Sequence, residues 1–332
     1  MLLGEDGAPF FEPGKDVAHL VREPVWVNNH IHVLRPHSSV DAQYLTYSLN
    51  AVDYARYISG STRDKLTQDD MRRISVSLPP LDEQRRIADF LDTETAHLDA
   101  LIRTRLRYEQ ILAERHASEL TRLLDSGADR PSALGRYLLR SPSYGVLKPS
   151  YTETGPRIIR ILNVREDGSV DSTALEHIDP LQHLEYRRTV LTEGDVCLGV
   201  VGTIGRPFVV TRDLAGANVS RAIARLRPRT DLHPVILQAW LRTARFNSWA
   251  EQTTNATAQR VLNMGDLAKY PVWLPESAAN VVLEVGRVDD WHRGISGQIR
   301  LQAARLAERR QALITAAVTG QLDVTTARGG RS

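Results

Sequence analysis

Two stretches of the chain carry a narrow apolar stripe at helical spacing. After Pro79-Pro80, which cannot continue a helix but readily precede one, Asp82 and Glu83 stand where acids favour a helix amino end. From there to Leu124 there is neither proline nor glycine. Leu91, Leu98 and Leu112 lie on one heptad ladder, with Ile87, Leu101 and Tyr108 on the adjoining one. Near the carboxyl end Val285, Ile299, Leu306 and Leu313 form a second ladder, flanked by Val288 and Ile295. The spacing predicts long helices over 82–124 and 280–318, each spanning roughly 60 Å at 1.5 Å per residue. Glu94, Arg105, His292 and Gln302 interrupt the stripes, and Gly286, Gly294 and Gly297 weaken the start of the second helix. The simplest arrangement packs the two helices on each other as a specific pair; two amphipathic helices on separate cores are the alternative.

The segments before the helices repeat. LLGEDGAPFF near the start matches VCLGVVGTIGRPFVV at 196–210, with Leu3-Gly4 and Gly7 against Leu198-Gly199 and Gly202. VWVNNHIHVLRP (25–36) matches GANVSRAIARLRP (216–228), AQYLTYSL matches PVILQAWL, and LTQDDMRRISVSLPP matches LNMGDLAKYPVWLPE. LAER recurs at 112–115 and 306–309. The order is kept throughout, at an offset of about 192 to 196 residues. In the second copy about 70 residues precede the Leu-Gly turn, whereas in the first copy nothing does. The chain is therefore expected to begin partway through its first repeat. The predicted organisation is a partial first domain over 1–80, a long helix over 81–126, a complete second domain over 127–275, a second long helix over 276–324 and a flexible tail over 325–332. The fold class is mixed α/β.

Composition narrows the class without deciding the function. An apolar share of 42% and a charged share of 25% in 332 residues suit a globular protein of two or three domains. The single cysteine, Cys197, cannot form an internal disulfide, which points to a reducing cytoplasm. No stretch approaches the length of a membrane span. Net charge is only +2, but its distribution is uneven. Arg140, Lys148, Arg157, Arg160 and Arg165 face only Glu153 and Glu166 in their stretch. Arg206, Arg212, Arg221, Arg225, Arg227 and Arg229 face Asp213 alone. Local excess of this kind suits a phosphate-binding surface, and also an ordinary solvated face whose acids lie elsewhere in sequence.

Base readout needs side chains with two hydrogen-bonding groups, and phosphate positioning needs Arg, Lys, Ser, Thr and backbone amides. In GPRIIRILNVRED the candidates are Arg157, Arg160, Asn163 and Arg165. Arg206 follows the glycine turn. TTNATAQR offers Thr254, Asn255, Thr257, Gln259 and Arg260, and its counterpart GSTRDKL offers Ser61, Thr62, Arg63 and Lys65. Asn28 and Asn29 in VNNHIH match Ser220 and Arg221 in NVSRAI. His30 and His32 have no cysteine or carboxylate nearby in sequence, so a polar or structural role is preferred to a metal site. GVVGTIG lacks the Lys-Ser/Thr ending of a phosphate-binding loop and is read as a tight turn. No methyltransferase, dinucleotide or helicase motif is present, so no catalytic residue, metal or cofactor is assigned. A compact nuclease or stand-alone modification enzyme dimerising through its helices is the alternative.

LPPLDEQRRIADFLD (78–92) resembles the conserved region of the DNA specificity subunit of type I restriction-modification systems, where a proline pair, an acid and Glu-Gln open a long helix, as Pro79-Pro80, Asp82, Glu83 and Gln84 do here. ERRQALITAAVTGQLDV (308–324) is similar to that family's second conserved helix end, at Ile314, Ala317, Val318, Thr319, Gly320 and Gln321. SAANVVLEVG (277–286) departs from the pattern by lacking Glu-Gln. The resemblance implies two target recognition domains separated by an antiparallel, coiled-coil-like helix pair. It further implies that each domain reads one half of a split double-stranded DNA sequence, and that the helices dock methyltransferase subunits and, in the nuclease form, motor subunits. On that reading the first recognition domain lacks its amino-terminal part, and specific recognition resides mainly in the second.

Overall fold

The computed structural model describes residues 1–12, 14–58, 64–125, 130–254 and 260–324. They divide into two compact units: residues 1–109 with 297–332, and residues 110–296. The division cuts through both long helices, Leu81–Leu124 and Ala278–Val318, so each unit owns one end of each helix. This differs from the domain boundaries expected from sequence, which set the helices apart from the domains they follow.

In the first unit, Leu2–Gly4 is the middle strand of an antiparallel sheet, between Ala18–His19 and Ile31–Val33. Leu3, Phe10, Val17, Tyr54 and Leu66 form the core beneath it. A short helix, Ala42–Asn50, starts where the Asp41 carboxylate accepts the N–H groups of Gln43 and Tyr44. Its Tyr44 and Tyr47 pack on Ile87, Ala88 and Leu91 of the first long helix and on Ile314, Ala317 and Val318 of the second. The ion pairs Asp99–Arg310, at 3.0 Å, and Glu109–Arg300 continue the contact, so rising numbers on one helix meet falling numbers on the other. The ends pair antiparallel.

Gln84 explains the Glu-Gln signature physically. It is 1% exposed, and its amide donates to the carbonyls of Pro79 (2.7 Å) and Ser39 (3.2 Å) while its oxygen accepts the Asp41 N–H at 2.8 Å. One side chain thus ties the helix start to the loop before the short helix. The counterpart position in the second repeat is the exposed Asn280, which is why the signature is missing there without loss of the helix. At the far end Gly320, with φ +74°, turns the chain so that the Leu322 N–H returns to the Ala316 carbonyl.

The second unit holds a four-stranded sheet ordered Ser143–Tyr144, Ile223–Leu226, Val196–Val201, Thr203–Val209. A three-stranded sheet sets Tyr151–Ile159 between Asn218–Val219, in parallel, and Glu176–Ile178, antiparallel. Trp240, Phe246, Tyr270 and the aliphatic residues of the four-stranded sheet make the largest core, and Leu120, Leu124, Val281 and Val285 of the long helices close it. Here too the helix ends run antiparallel: His116 stacks on His292 with ring centroids 4.2 Å apart. Gly286, Gly294 and Gly297 leave the second helix uninterrupted, because packing outweighs their weak propensity.

The repeat read from sequence recurs in the hydrogen bonding of each unit. Leu3 pairs with His32 as Leu198 pairs with Ala224. The Leu66 N–H donates to the Glu5 carbonyl as the Leu262 N–H donates to that of Val200. Gly7 and Gly202 both take positive φ, +64° and +72°. The glycine segment at 199–205 is a hairpin turn, with the left-handed conformation a tight reversal needs.

Candidate nucleic-acid interface

In the second unit the hairpin Val196–Val209 gathers several of the residues singled out from sequence. Val201 bridges to Val261, and the Gly202 N–H donates to the Arg260 carbonyl at 2.8 Å, which fixes Arg260 beside the turn. On the other flank Gly199 approaches Ile161 so closely that an added Cβ would lie 2.9 Å from its Cδ1. Arg206, at φ +52°, sends its guanidinium to the Val164 carbonyl at 3.1 Å and lies 3.7 Å from Glu166. The parallel pairing of Val219 with Ile159 then brings Ser220 and Arg221 alongside Arg160. Arg160, Arg165, Arg206, Ser220, Arg221 and Arg260 therefore surround one hairpin although they span a hundred residues of sequence.

Their freedom differs. Arg160 pairs with Glu176 at 2.9 Å and lies over the Tyr151 ring at 5.7 Å. Arg165 reaches Asp171 at 3.4 Å. Arg221 and Arg260 are exposed and make no ion pair among the described residues. Asn163 is buried: its oxygen accepts the Arg160 N–H at 2.8 Å and its amide donates to the Ala174 carbonyl at 3.0 Å, so it shapes the loop from within. Thr254 is 5% exposed and donates to the Ala250 carbonyl at a helix end. The Arg157 guanidinium turns to the Asp213 carbonyl. Asn255, Thr257 and Gln259 lie outside the described residues.

The basic excess around 206–229 is largely balanced in space. Asp195, 2% exposed, holds Arg225 at 2.9 Å and Arg227 at 2.8 Å. Burial acts to lower the Arg225 pKa, and Asp195 opposes that effect. Arg212 lies 3.7 Å from Glu193, and Arg229 lies 3.5 Å from Asp231. Glu193 and Asp195 precede the run and Asp231 follows it, so the local excess is balanced at Arg212, Arg225, Arg227 and Arg229. Two neighbours of the hairpin cluster escaped the sequence reading: Tyr151, beneath Arg160, and Leu162, 82% exposed between Arg160 and Arg165. The adjoining apolar pair Ile161-Leu162 was the available signal, since only one of them can face the core.

The first unit places Lys65 at the equivalent point, bridged to Asp6 and paired with Glu5 at 3.1 Å. Asn28 and Asn29 are exposed, and Asn28 accepts the His30 N–H at 3.0 Å. His30 lies 2.6 Å from Asp6, while the buried His32 ring lies 2.8 Å from the Leu66 carbonyl. Ser61, Thr62 and Arg63 lie outside the described residues.

Two units that share backbone pairings, each carrying antiparallel ends of the same two long helices, define a duplicated α/β protein. Residues 17–108 match the family model of the type I restriction modification DNA specificity domain. Over longer stretches the chain is similar to type I restriction-modification specificity subunits. It is 29% identical to the EcoBI specificity subunit of Escherichia coli over 278 residues, 74% of this chain and 58% of that protein. Identity to the EcoKI specificity subunit of Escherichia coli K12 is 22% over 324 residues, 87% of this chain and 68% of that protein. A chain from a solved structure concerning complex assembly and conformational transition of the type I R-M system shares the fold, with TM-score 0.58, 20% identity, and coverage of 88% of this chain and 75% of that chain. The chain thus spans little more than half the length of the EcoBI subunit. No helix among the described residues is long and apolar enough to cross a membrane.

Proposed function

We propose that this chain is a DNA specificity subunit of a type I restriction-modification complex, which reads a bipartite double-stranded target and docks methyltransferase and motor subunits on its long helices while performing no chemistry itself. The observation that carries the reading is the cationic surround of the hairpin in the second unit, set on a framework whose backbone pairings recur in the first. In the second unit Arg221 and Arg260 contact phosphate, and Arg160, Arg165, Arg206 and Ser220 position or read bases; Asn28, Asn29 and Lys65 take the corresponding places in the first. Arginine suits both tasks, since its planar fork matches two acceptors on guanine or on phosphate.

The test is a salt-resolved DNA-binding titration of the chain with its cognate methyltransferase. Arg221→Ala and Arg260→Ala should each weaken binding and lower the slope of log affinity against log salt by about 1. Retention of the parental slope in both variants would refute the assignment of this surface.

A further inference from the structure

Leu162 stands on a turn that the second unit holds firmly from beneath. Ile161–Asn163 is one turn of 3-10 helix. The Asn163 N–H donates to the Arg160 carbonyl at 2.9 Å, and its side-chain oxygen accepts the Arg160 N–H at 2.8 Å, so the turn is closed on itself. The Asn163 carbonyl accepts the Asp171 N–H at 2.8 Å, the Arg165 N–H donates to the Ser169 carbonyl at 2.9 Å, and the Val164 carbonyl accepts from Arg206 at 3.1 Å. Val164 is 1% exposed and belongs to the core on which Ile161 packs. Leu162 alone of this group faces outward, 82% exposed.

A solitary exposed leucine is ordinary on a protein surface. The position of this one is what singles it out, because Arg160 and Arg165 flank it and Arg206 holds the turn from below. An apolar group fixed among cations fits a partner that is anionic overall and yet presents apolar groups between its charges. Duplex DNA is such a partner: its phosphates line the grooves, and the floor of the major groove carries one apolar group, the thymine C5-methyl. A leucine side chain cannot hydrogen-bond. Against any other part of a base edge it would cover a donor or acceptor without replacing its water, which is unfavourable.

We propose that Leu162 is a specificity-determining residue whose partner is the C5-methyl group of a thymine in the major groove, an inference that rests on the reading of this surface as the one that meets DNA. The contact selects thymine in two ways: the methyl group leaves water against the leucine, and a base that places a polar group there is penalised. The closed turn keeps the side chain in place, so no ordering of the loop opposes the contact.

Replacing thymine by deoxyuridine removes that methyl group and leaves the hydrogen-bonding edge unchanged, which gives a direct test. Methylome sequencing of cells carrying the chain and its cognate methyltransferase defines both half sites, and duplexes with deoxyuridine at each thymine in turn are titrated with the purified complex. At one position, in one half site, the substitution should weaken binding about fourfold, the effect of one buried methyl group. Leu162→Ala should weaken binding to the thymine duplex by at least as much, with the salt slope unchanged, and should be indifferent to deoxyuridine there. Half sites without thymine, or a parent complex indifferent to deoxyuridine throughout, overturn the proposal. So does a loss in Leu162→Ala that is equal on thymine and deoxyuridine duplexes, which would make Leu162 a wedge between base pairs, or weaker assembly with the methyltransferase in the absence of DNA, which would make its partner a protein. A salt slope unmoved by Arg221→Ala and Arg260→Ala removes the DNA surface itself; a lowered slope with no deoxyuridine effect removes only the role of Leu162.

Discussion

His116 on the first long helix and Asp289 on the second meet at 2.8 Å, and Asp289 also accepts from Arg242 at 2.6 Å. The carboxylate is mostly buried, so the ends of both helices and the helix-bearing layer of the second unit converge on one charge. Burial pushes the Asp289 carboxyl up, but the His116 hydrogen bond and the Arg242 charge outweigh it and hold its pKa below the ordinary 3.8.

A group with a depressed folded pKa contributes stability above its unfolded pKa and loses it as pH falls through the folded value. Stability of the chain should therefore decline below about pH 4 in part through Asp289. Asp289→Asn should flatten that portion of the profile, and Asp289→Ala should cost about 3 kcal/mol at neutral pH by stranding Arg242. Urea titrations between pH 2.5 and pH 7 would measure both; a parallel acid profile in Asp289→Asn would refute the linkage.

Gln84→Leu removes three hydrogen bonds from a site that stays buried. The carbonyls of Pro79 and Ser39 and the Asp41 N–H lose their partner, and a loss of about 2–4 kcal/mol follows. Asn280→Leu, at the exposed counterpart, should change stability by less than about 0.5 kcal/mol. Denaturant midpoints of the two variants make the comparison, and equal effects would show that Gln84 is not the latch described.

Leu98 is 5% exposed and Ile299 is half-buried, although both occupy ladder positions. Leu98→Asp should cost about 3–5 kcal/mol, and Ile299→Asp less, about 1–2 kcal/mol. Thermal melts followed by far-ultraviolet circular dichroism would rank them. The reverse order would mean that the seam is placed on the wrong face.

Gly294 lies inside a helix where an added Cβ meets nothing within 4 Å. Gly294→Ala should stabilise the chain by about 0.5–1 kcal/mol through reduced entropy of the unfolded state. A lower melting temperature would show that the helix needs the freedom of glycine at this point.

The long helices, the duplication and the tight turn were legible in the sequence because each depends on local pattern: ladder spacing, a kept order of motifs, and glycines where φ must be positive. The family resemblance was legible for the same reason, since LPPLDEQ and AAVTGQL are local stop and start signals, realised as the Gln84 latch and the Gly320 turn. Which charges are available was decided only by tertiary structure. Arg225 and Arg227 read as part of a cationic run until the fold brought Asp195 beneath them, and Asn163 read as a base-reading side chain until its amide closed a loop. Ion pairing and strand pairing join residues distant along the chain, and a one-dimensional pattern records the presence of each partner without recording that they meet.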